Sequence, residues 1–487
     1  MPQSKSKTLA KQGRNRLEYG LEKDIEVKFD GDWVSSDAGI LLLRKADEKL
    51  ELCELAASAL GEWRRADLVK HKLVDLFRQR TYGVGLGYED CNDAGPLAFD
   101  PVHNLALGRL PSENRRLASQ PTLSRFENSV DEVALSALQR LLVLLYVRQQ
   151  KKRPKKVRLS MDTTHDEVHG YQQLSFYNGF YETYCYTPLF IFTDDGFPLR
   201  AQLRAGNASP AEQSVRALRE VVHELRLAWP GVRVELLADA GFAVPELYEY
   251  CEANQITYLV GTRRHNGLDY HVQDLIVATK DRFESFGHHT EALKKYGYLA
   301  DPKSRKRAWR QREELIRFAA KSDGRMQEHF EEPQSVRVYG EFFYQSREWS
   351  RERRHLVRCE YTTEGPDLMF VVTNATGDNA RRLYEERYCK RARCENWIKD
   401  LKTYLKCDRT SCQEFNANQF RVLIHTFAYI LLWSVKGAAA MSAATMQTVQ
   451  LRLMKIGAIL REQANKVVLT LSRYSTSAEL FRAAWTG

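Results

Sequence analysis

A mixed α/β core bracketed by helical regions is the fold class this sequence predicts, and three observations predict it. Two apolar runs, VRLSMD (157–162) and RVELLAD (233–239), each end in an aspartate. Strand-like and helix-like periods alternate from 157 to 262 in the order β-β-β-α-β-α-β. On both sides of that stretch apolar residues recur mostly at helical spacing.

The region before residue 147 reads as mostly helical. An early strand, DIEVKF (24–29), precedes SSDAGILLLRKADEKL, where Asp37 is placed to cap a helix. The glycines of TYGVGLGYED mark a loop. In RRLASQPTLSRFEN (115–128) a short helix is expected to end near Ser119, with Pro121 opening the next one. Thr122, Ser124 and Arg125 would then lead a second helix, the outline of a helix-turn-helix whose leading residues reach base edges. A plain helical hairpin fits the same outline. RQQKKRPKKVR (148–158) holds seven cations and one proline and reads as a linker. As a tether along phosphates it would use Lys151, Lys152, Arg153, Lys155 and Lys156.

Within the core, YTPLFIFTDD (186–195) and FPLRAQLRAG (197–206) form a hairpin turned at Asp195-Gly196. Residues 211–229 have helical spacing, PELYEYCEAN (245–254) is a helix opened by proline, and TYLVGT (257–262) is a strand. From about 265 to 365 two basic runs, KSRKRAWRQREELIR (303–317) and SREWSRERRHLVR (346–358), suggest an inserted module. LMFVVTN (368–374) then returns to the core as a strand. One helix follows from about Asn379 to Leu405, and the chain from Cys412 onward is expected to be helical.

The 487 residues are 43% hydrophobic and 28% charged, which suits a globular protein with a sizeable core. A net charge of +10 favours a polyanionic partner, nucleic acid before membrane. LLVLLYV (141–147) is too short to cross a bilayer, and Arg421 and His425 break the apolar run from Phe420 to Val435. Nine cysteines behind a polar N-terminus point to reduced thiols and a cytoplasmic protein. Cys389, Cys394, Cys407 and Cys412 are spaced too loosely for an ordinary zinc site.

Three acids stand out by position. Asp162 and Asp239 end strands, and Glu395 lies on the late helix within YCKRARCENWIKDLK (388–402). Each alone has an ordinary role, as a turn former after a strand or as the i, i+4 partner of Lys399. Asp166, close to Asp162, is the weaker candidate because it lies past the strand end. Three converging carboxylates would repel one another without a cation, and hard oxygen ligands suit Mg²⁺ or Mn²⁺. Two such ions per site can stabilise both the attacking and the leaving oxygen of a phosphoryl transfer. On a regular helix Tyr388, Arg391, Glu395, Ile398 and Lys402 share one face, placing phosphate-binding groups around the acid.

The spacing Y-x2-R-x3-E-x6-K, formed by Tyr388, Arg391, Glu395 and Lys402, resembles the YREK signature of one branch of bacterial insertion-sequence DDE transposases. SSDAGILLLR (35–44), LASQPTLSRFEN (117–128), DTTHDEVHG (162–170) and DRTSCQEFNANQFR (408–421) are similar to the ISEcp-type group within it. That resemblance implies an RNase H-like catalytic core, a mixed five-stranded sheet with flanking helices. It implies Asp162, Asp239 and Glu395 as the metal-binding triad and Tyr388, Arg391 and Lys402 as holders of end phosphates. It also implies an inserted module that helps bind the transposon end, where Arg305, Lys306, Arg307, Arg310, Trp309 and Trp349 are candidates, a tryptophan stacking on a flipped base. The partners would be double-stranded DNA, as terminal inverted repeats and target, bound by a homodimer. Excision by a DNA hairpin would be one route.

The domains expected on this basis are a mainly helical end-binding region (1–150), the first part of the core (151–265), the insertion (266–365), the last core strand with the acidic helix (366–410) and a helical C-terminal region (411–487). A catalytically silent, transposase-derived repressor is the alternative, because basic tracts serve it equally well. Another RNase H-like nuclease or a resolvase is a third reading.

Overall fold

The computed structural model describes residues 32–296 and 335–487. The early strand expected at 24–29 and the basic run with Arg305, Lys306, Arg307, Trp309 and Arg310 lie outside the described residues.

The centre is one eight-stranded mixed sheet. Its strands are β1 (Lys156–Thr163), β2 (Leu189–Thr193), β3 (Pro198–Gln202), β4 (Arg233–Ala238), β5 (Ile256–Thr262), β6 (Ser335–Tyr344), β7 (Arg353–Thr362) and β8 (Gly365–Thr373). Across the sheet they run β3-β2-β1-β4-β5-β8-β7-β6. β4 pairs parallel with both β1 and β5, and the other neighbours are antiparallel. The central strands are almost wholly buried, so they read as continuous apolar runs. The β2–β3 hairpin turns where expected, with Gly196 at φ +86°.

Five strands were expected and eight are present. The later part of the insertion, β6 and β7, does not stand apart from the core, because it pairs onto β8, the strand expected to return there. With β8 it forms an antiparallel meander whose last strand pairs with β5 and widens the sheet.

The helical body has two sources. Near the N-terminus lie α1 (Leu73–Gly85), α2 (Gln120–Glu127) and α3 (Glu132–Gln149), after shorter helices at Ile40–Leu50 and Leu52–Leu60. Beyond the sheet come α4 (Ala392–Lys399) and the long α5 (Phe415–Ala438), which is buried on every side from Ala417 to Leu432, its polar residues included. Phe77 of α1 meets Phe126, Phe420 and Phe427 edge-on at 5.5, 5.6 and 6.0 Å, so both halves share one core. Beside them Glu127 is buried between Arg80 (2.5 Å) and Arg421 (3.0 Å). On its other side α5 touches the sheet, where Gln419 bonds Ala201 and Leu203 of the β3 edge.

Two expectations fail here. No helix ends near Ser119: residues 114–119 have no regular secondary structure and follow a short 3₁₀ turn at Pro111–Glu113, so the helix-turn-helix expected at 115–128 does not form. Pro121 correctly marks the first turn of α2, but the backbone before it is bonded elsewhere, the Leu117 N–H to the Ala98 carbonyl and both backbone groups of Ala118 to the Gln79 side chain. The C-terminal region is not helical throughout. Ala458–Gln463 and Lys466–Leu471 form a hairpin, and Val34–Ser35 adds its third strand. The β-branched residues of VVLTL were its signal.

Glu127→Ala would leave two guanidiniums buried without a counter-charge. It is expected to cost about 3–5 kcal/mol, read by urea unfolding.

Candidate active site

Met161 pairs with Ala238 in the parallel β1–β4 ladder, so the next residues, Asp162 and Asp239, stand side by side where the two strands end. Asp162 is buried, and its Oδ1 accepts from the Thr163 N–H. Asp239 caps a short turn, its Oδ1 accepting from Gly241 N–H at 3.0 Å. Burial, and then the charge of Asp239, push the Asp162 carboxyl up to about 7.

The chain segment carrying Glu395 crosses this edge, but it is not the single regular helix expected. It is helical at Ala380–Arg382, π-helical at Leu383–Arg387, 3₁₀ at Tyr388–Arg391, α-helical in α4 and π-helical again at Asp400–Tyr404. In the 3₁₀ turn residues three apart eclipse, which stacks Tyr388 and Arg391 on one side. Tyr388 is buried beneath the site, and a Cβ on Gly261 of β5 would come within 2.5 Å of its hydroxyl. Burial pushes the Tyr388 phenol up to about 12. Cys394 and Ile398 face the core, while the Glu395 side chain is 59% exposed.

Arg391 joins the acids. Its Nη1 lies 3.3 Å from Asp162 Oδ2 and its Nη2 donates to Glu395 Oε1 at 2.9 Å. The structure therefore brings Asp162, Asp239, Glu395 and Arg391 to one sheet edge, with a guanidinium spanning two of the carboxylates. Among the described residues no three His, Cys, Asp or Glu side chains are close enough to enclose an ion. Lys402 turns away from Glu395 to the loop after β1, bonding Thr164 Oγ1 at 3.1 Å and the His165 carbonyl and lying 3.7 Å from Asp166. Asp166 is buried just past that loop, in a two-residue strand paired with Tyr186, and burial raises its carboxyl to about 7.

The other expected residues divide. Lys151, Lys152 and Lys155 are exposed, Arg153 bonds the Pro230 carbonyl, and Lys156 is held 2.7 Å from Glu235. Trp349 is half-buried and its faces are used internally. It meets Tyr248 edge-on, stacks on His355, and lies under the Arg353 guanidinium at 5.2 Å. Thr122 and Arg125 line a groove distant in sequence from the acids, whereas Ser124 accepts from Asn128 through its carbonyl.

Sequence reasoning missed Glu235. Fully buried on β4, it accepts from Arg158 at 2.5 Å and Arg387 at 2.6 Å besides Lys156. Its signal was a lone acid inside the apolar run RVELLAD. Burial alone would raise its carboxyl, but the bonds from Lys156 and Arg158 hold it down to about 2. Arg387 stands just ahead of Tyr388, so this acid ties the segment bearing Arg391 and Glu395 to the sheet.

The family model for the transposase DDE domain, group 1, matches residues 17–486, and the chain belongs to that family. Among solved structures, a piggyBac transposase synaptic complex with hairpin DNA is similar at 10% identity and a TM-score of 0.36, over 86% of this chain and 80% of that one. That likeness is too low to carry an argument about the site. No curated protein matches the chain. Among the described residues no helix is long and apolar enough to cross a membrane.

Glu235→Ala is expected to cost about 3–5 kcal/mol, because it strands three cations. The wild-type carboxyl is depressed from 4.5 to about 2, so its contribution is present above pH 4.5 and lost as pH falls toward 2. Urea unfolding of wild type and Glu235→Gln between pH 6 and pH 2.5 should show the steeper acid loss in wild type.

Proposed function

We propose that this transposase binds the terminal inverted repeats of an insertion sequence, cleaves the ends and joins them to target DNA. Strands β1 to β5, in the order β3-β2-β1-β4-β5, are then an RNase H-like core. The single observation that supports this most is the pairing of Asp162 and Asp239 at adjacent strand ends, with Arg391 linking Asp162 to Glu395. Other RNase H-like nucleases share the paired strand-end acids, and the family membership favours transposition over them.

The donor set fits a divalent cation. Its oxygens are hard ligands, and Asp162 is raised partly by the unrelieved charge of Asp239, a repulsion that a cation would remove. Asp162, Asp239 and Glu395 would hold Mg²⁺ or Mn²⁺, two ions in the full site, whose Lewis acidity favours the attacking and leaving oxygens of phosphoryl transfer. Arg391, freed from the carboxylates, would grip a phosphate of the DNA end bidentately. Tyr388 fixes its position from below, and Lys402 holds the loop after β1 against the site. Pairing two ends calls for a homodimer on DNA.

The test is end cleavage with Mg²⁺ by wild type and by Asp162→Ala, Asp239→Ala and Glu395→Ala, with duplex binding measured in parallel. Each variant is expected to bind ends while cutting falls by on the order of 10³-fold or more, as for one member of a concerted set. Variants that cut normally would refute the triad. A wild type that binds ends and never cuts with any divalent ion would favour the repressor.

Arg391→Ala is expected to lose strand transfer, and Arg391→Lys should recover little of it, since a point charge lacks the planar fork. Initial rates on a pre-nicked end report this.

A further inference from the structure

Away from the carboxylate edge, a groove of about 750 Å³ opens between the loop before α1 and the start of α2. Its floor is apolar, formed by Leu76, Leu117 and Phe126. Its walls are cationic: Arg64, Lys70, Arg116 and Arg125 line it, and no carboxylate does. Arg64 is already paired with Glu62 at 2.6 Å. Lys70, Arg116 and Arg125 are exposed and have no ion-pair partner among the described residues. His71 also lines the groove, and burial with the charges of Arg109, Arg115 and Arg64 lowers its affinity for a proton. The local field is thus positive even where a neighbouring acid, Asp75, opposes it.

Three unpaired cations converging on one cleft repel one another, and a protein surface ordinarily intersperses acids among them. The cost is offset when a polyanion fills the cleft. Two further features suit a phosphate. Ser119, at the N-cap position of α2, and Thr122 in its first turn both line the groove, their hydroxyls 3.2 Å apart and leaving the first N–H groups of the helix without a side-chain cap, so the positive end of that helix opens onto it. Trp63 and Leu68 stand at the rim, 47% and 67% exposed, where a sugar would lie.

We propose that this groove clamps the phosphodiester backbone of duplex DNA, as a site separate from the carboxylates. The inference rests on the transposase reading above and deepens it. It also revises what α2 does. Thr122 and Arg125 hold backbone and not base edges, so the clamp fixes position without reading sequence.

The probe is a fluorescein-labelled random-sequence duplex of about 30 base pairs, titrated with the full chain at several KCl concentrations. Each phosphate neutralised contributes about 0.9 to the slope of log K against log[salt]. The triple variant Lys70→Ala/Arg116→Ala/Arg125→Ala is expected to flatten that slope by about 2.7 and weaken binding at least about tenfold at low salt. The charge-keeping variant Lys70→Arg/Arg116→Lys/Arg125→Lys should keep the wild-type slope, which a packing role would not require. An unchanged slope and affinity in the triple variant overturn the clamp. End cleavage is read separately. A wild type that binds with the expected slope but never cuts leaves the clamp standing and sinks the cleavage reading, whereas one that cuts while the triple variant keeps its slope sinks the clamp alone.

Discussion

Taking a carboxylate wholly out of water costs several kcal/mol, and Glu235 is tolerated only because three cations surround it. Two of them, Lys156 and Arg158, rise from β1, and the third, Arg387, comes from the segment before α4. One acid on β4 therefore ties the late segment bearing Glu395 to both acid-bearing strands. Arg158 extends the network to Asp194 at the β2–β3 turn, and Arg387 extends it to Asp378. The paired aspartates, the hairpin turn and the late helix are all referred to this one buried charge.

At the sheet edge the same electrostatics run in the opposite sense. Asp162 and Asp239 are held together by the β1–β4 ladder although their charges repel, so the backbone enforces what the side chains resist. Arg391 answers part of that repulsion by spanning Asp162 and Glu395. The hairpin turn packs in from the other side: a Cβ on Gly196 would lie 2.7 Å from the Trp397 indole of α4. Only glycine satisfies both that contact and the positive φ.

What was legible in the sequence was local. The ends of β1 and β4, the Asp195-Gly196 turn and the proline-led α2 each follow from a few neighbouring residues, and Asp162 and Asp239 followed from the strand ends. What was not legible depended on distant partners. β8 reads as a core strand, but that it carries β6 and β7 onto the same sheet depends on pairing with β5. Lys156 reads as one of a run of free cations, yet its ammonium belongs to Glu235. Trp349 sits in a basic run, yet its neighbours come from β6, β7 and the Pro245–Ala253 helix. The single face drawn through Tyr388, Arg391, Glu395 and Lys402 assumed one pitch, and the segment has three.

Those changes of pitch have a mechanical consequence. A π-turn is an α-helix that has absorbed one extra residue, and a 3₁₀ turn is one that has been overwound. The eight residues of α4 are therefore bounded on both sides by windings of different period. Rotation introduced upstream of Leu383 or downstream of Tyr404 can be taken up in those joints before it reaches the acid. Glu395 thus rides on a short cassette whose phase is set by the packing of Cys394 and Ile398 against the core, decoupled from the helical register of the chain on either side.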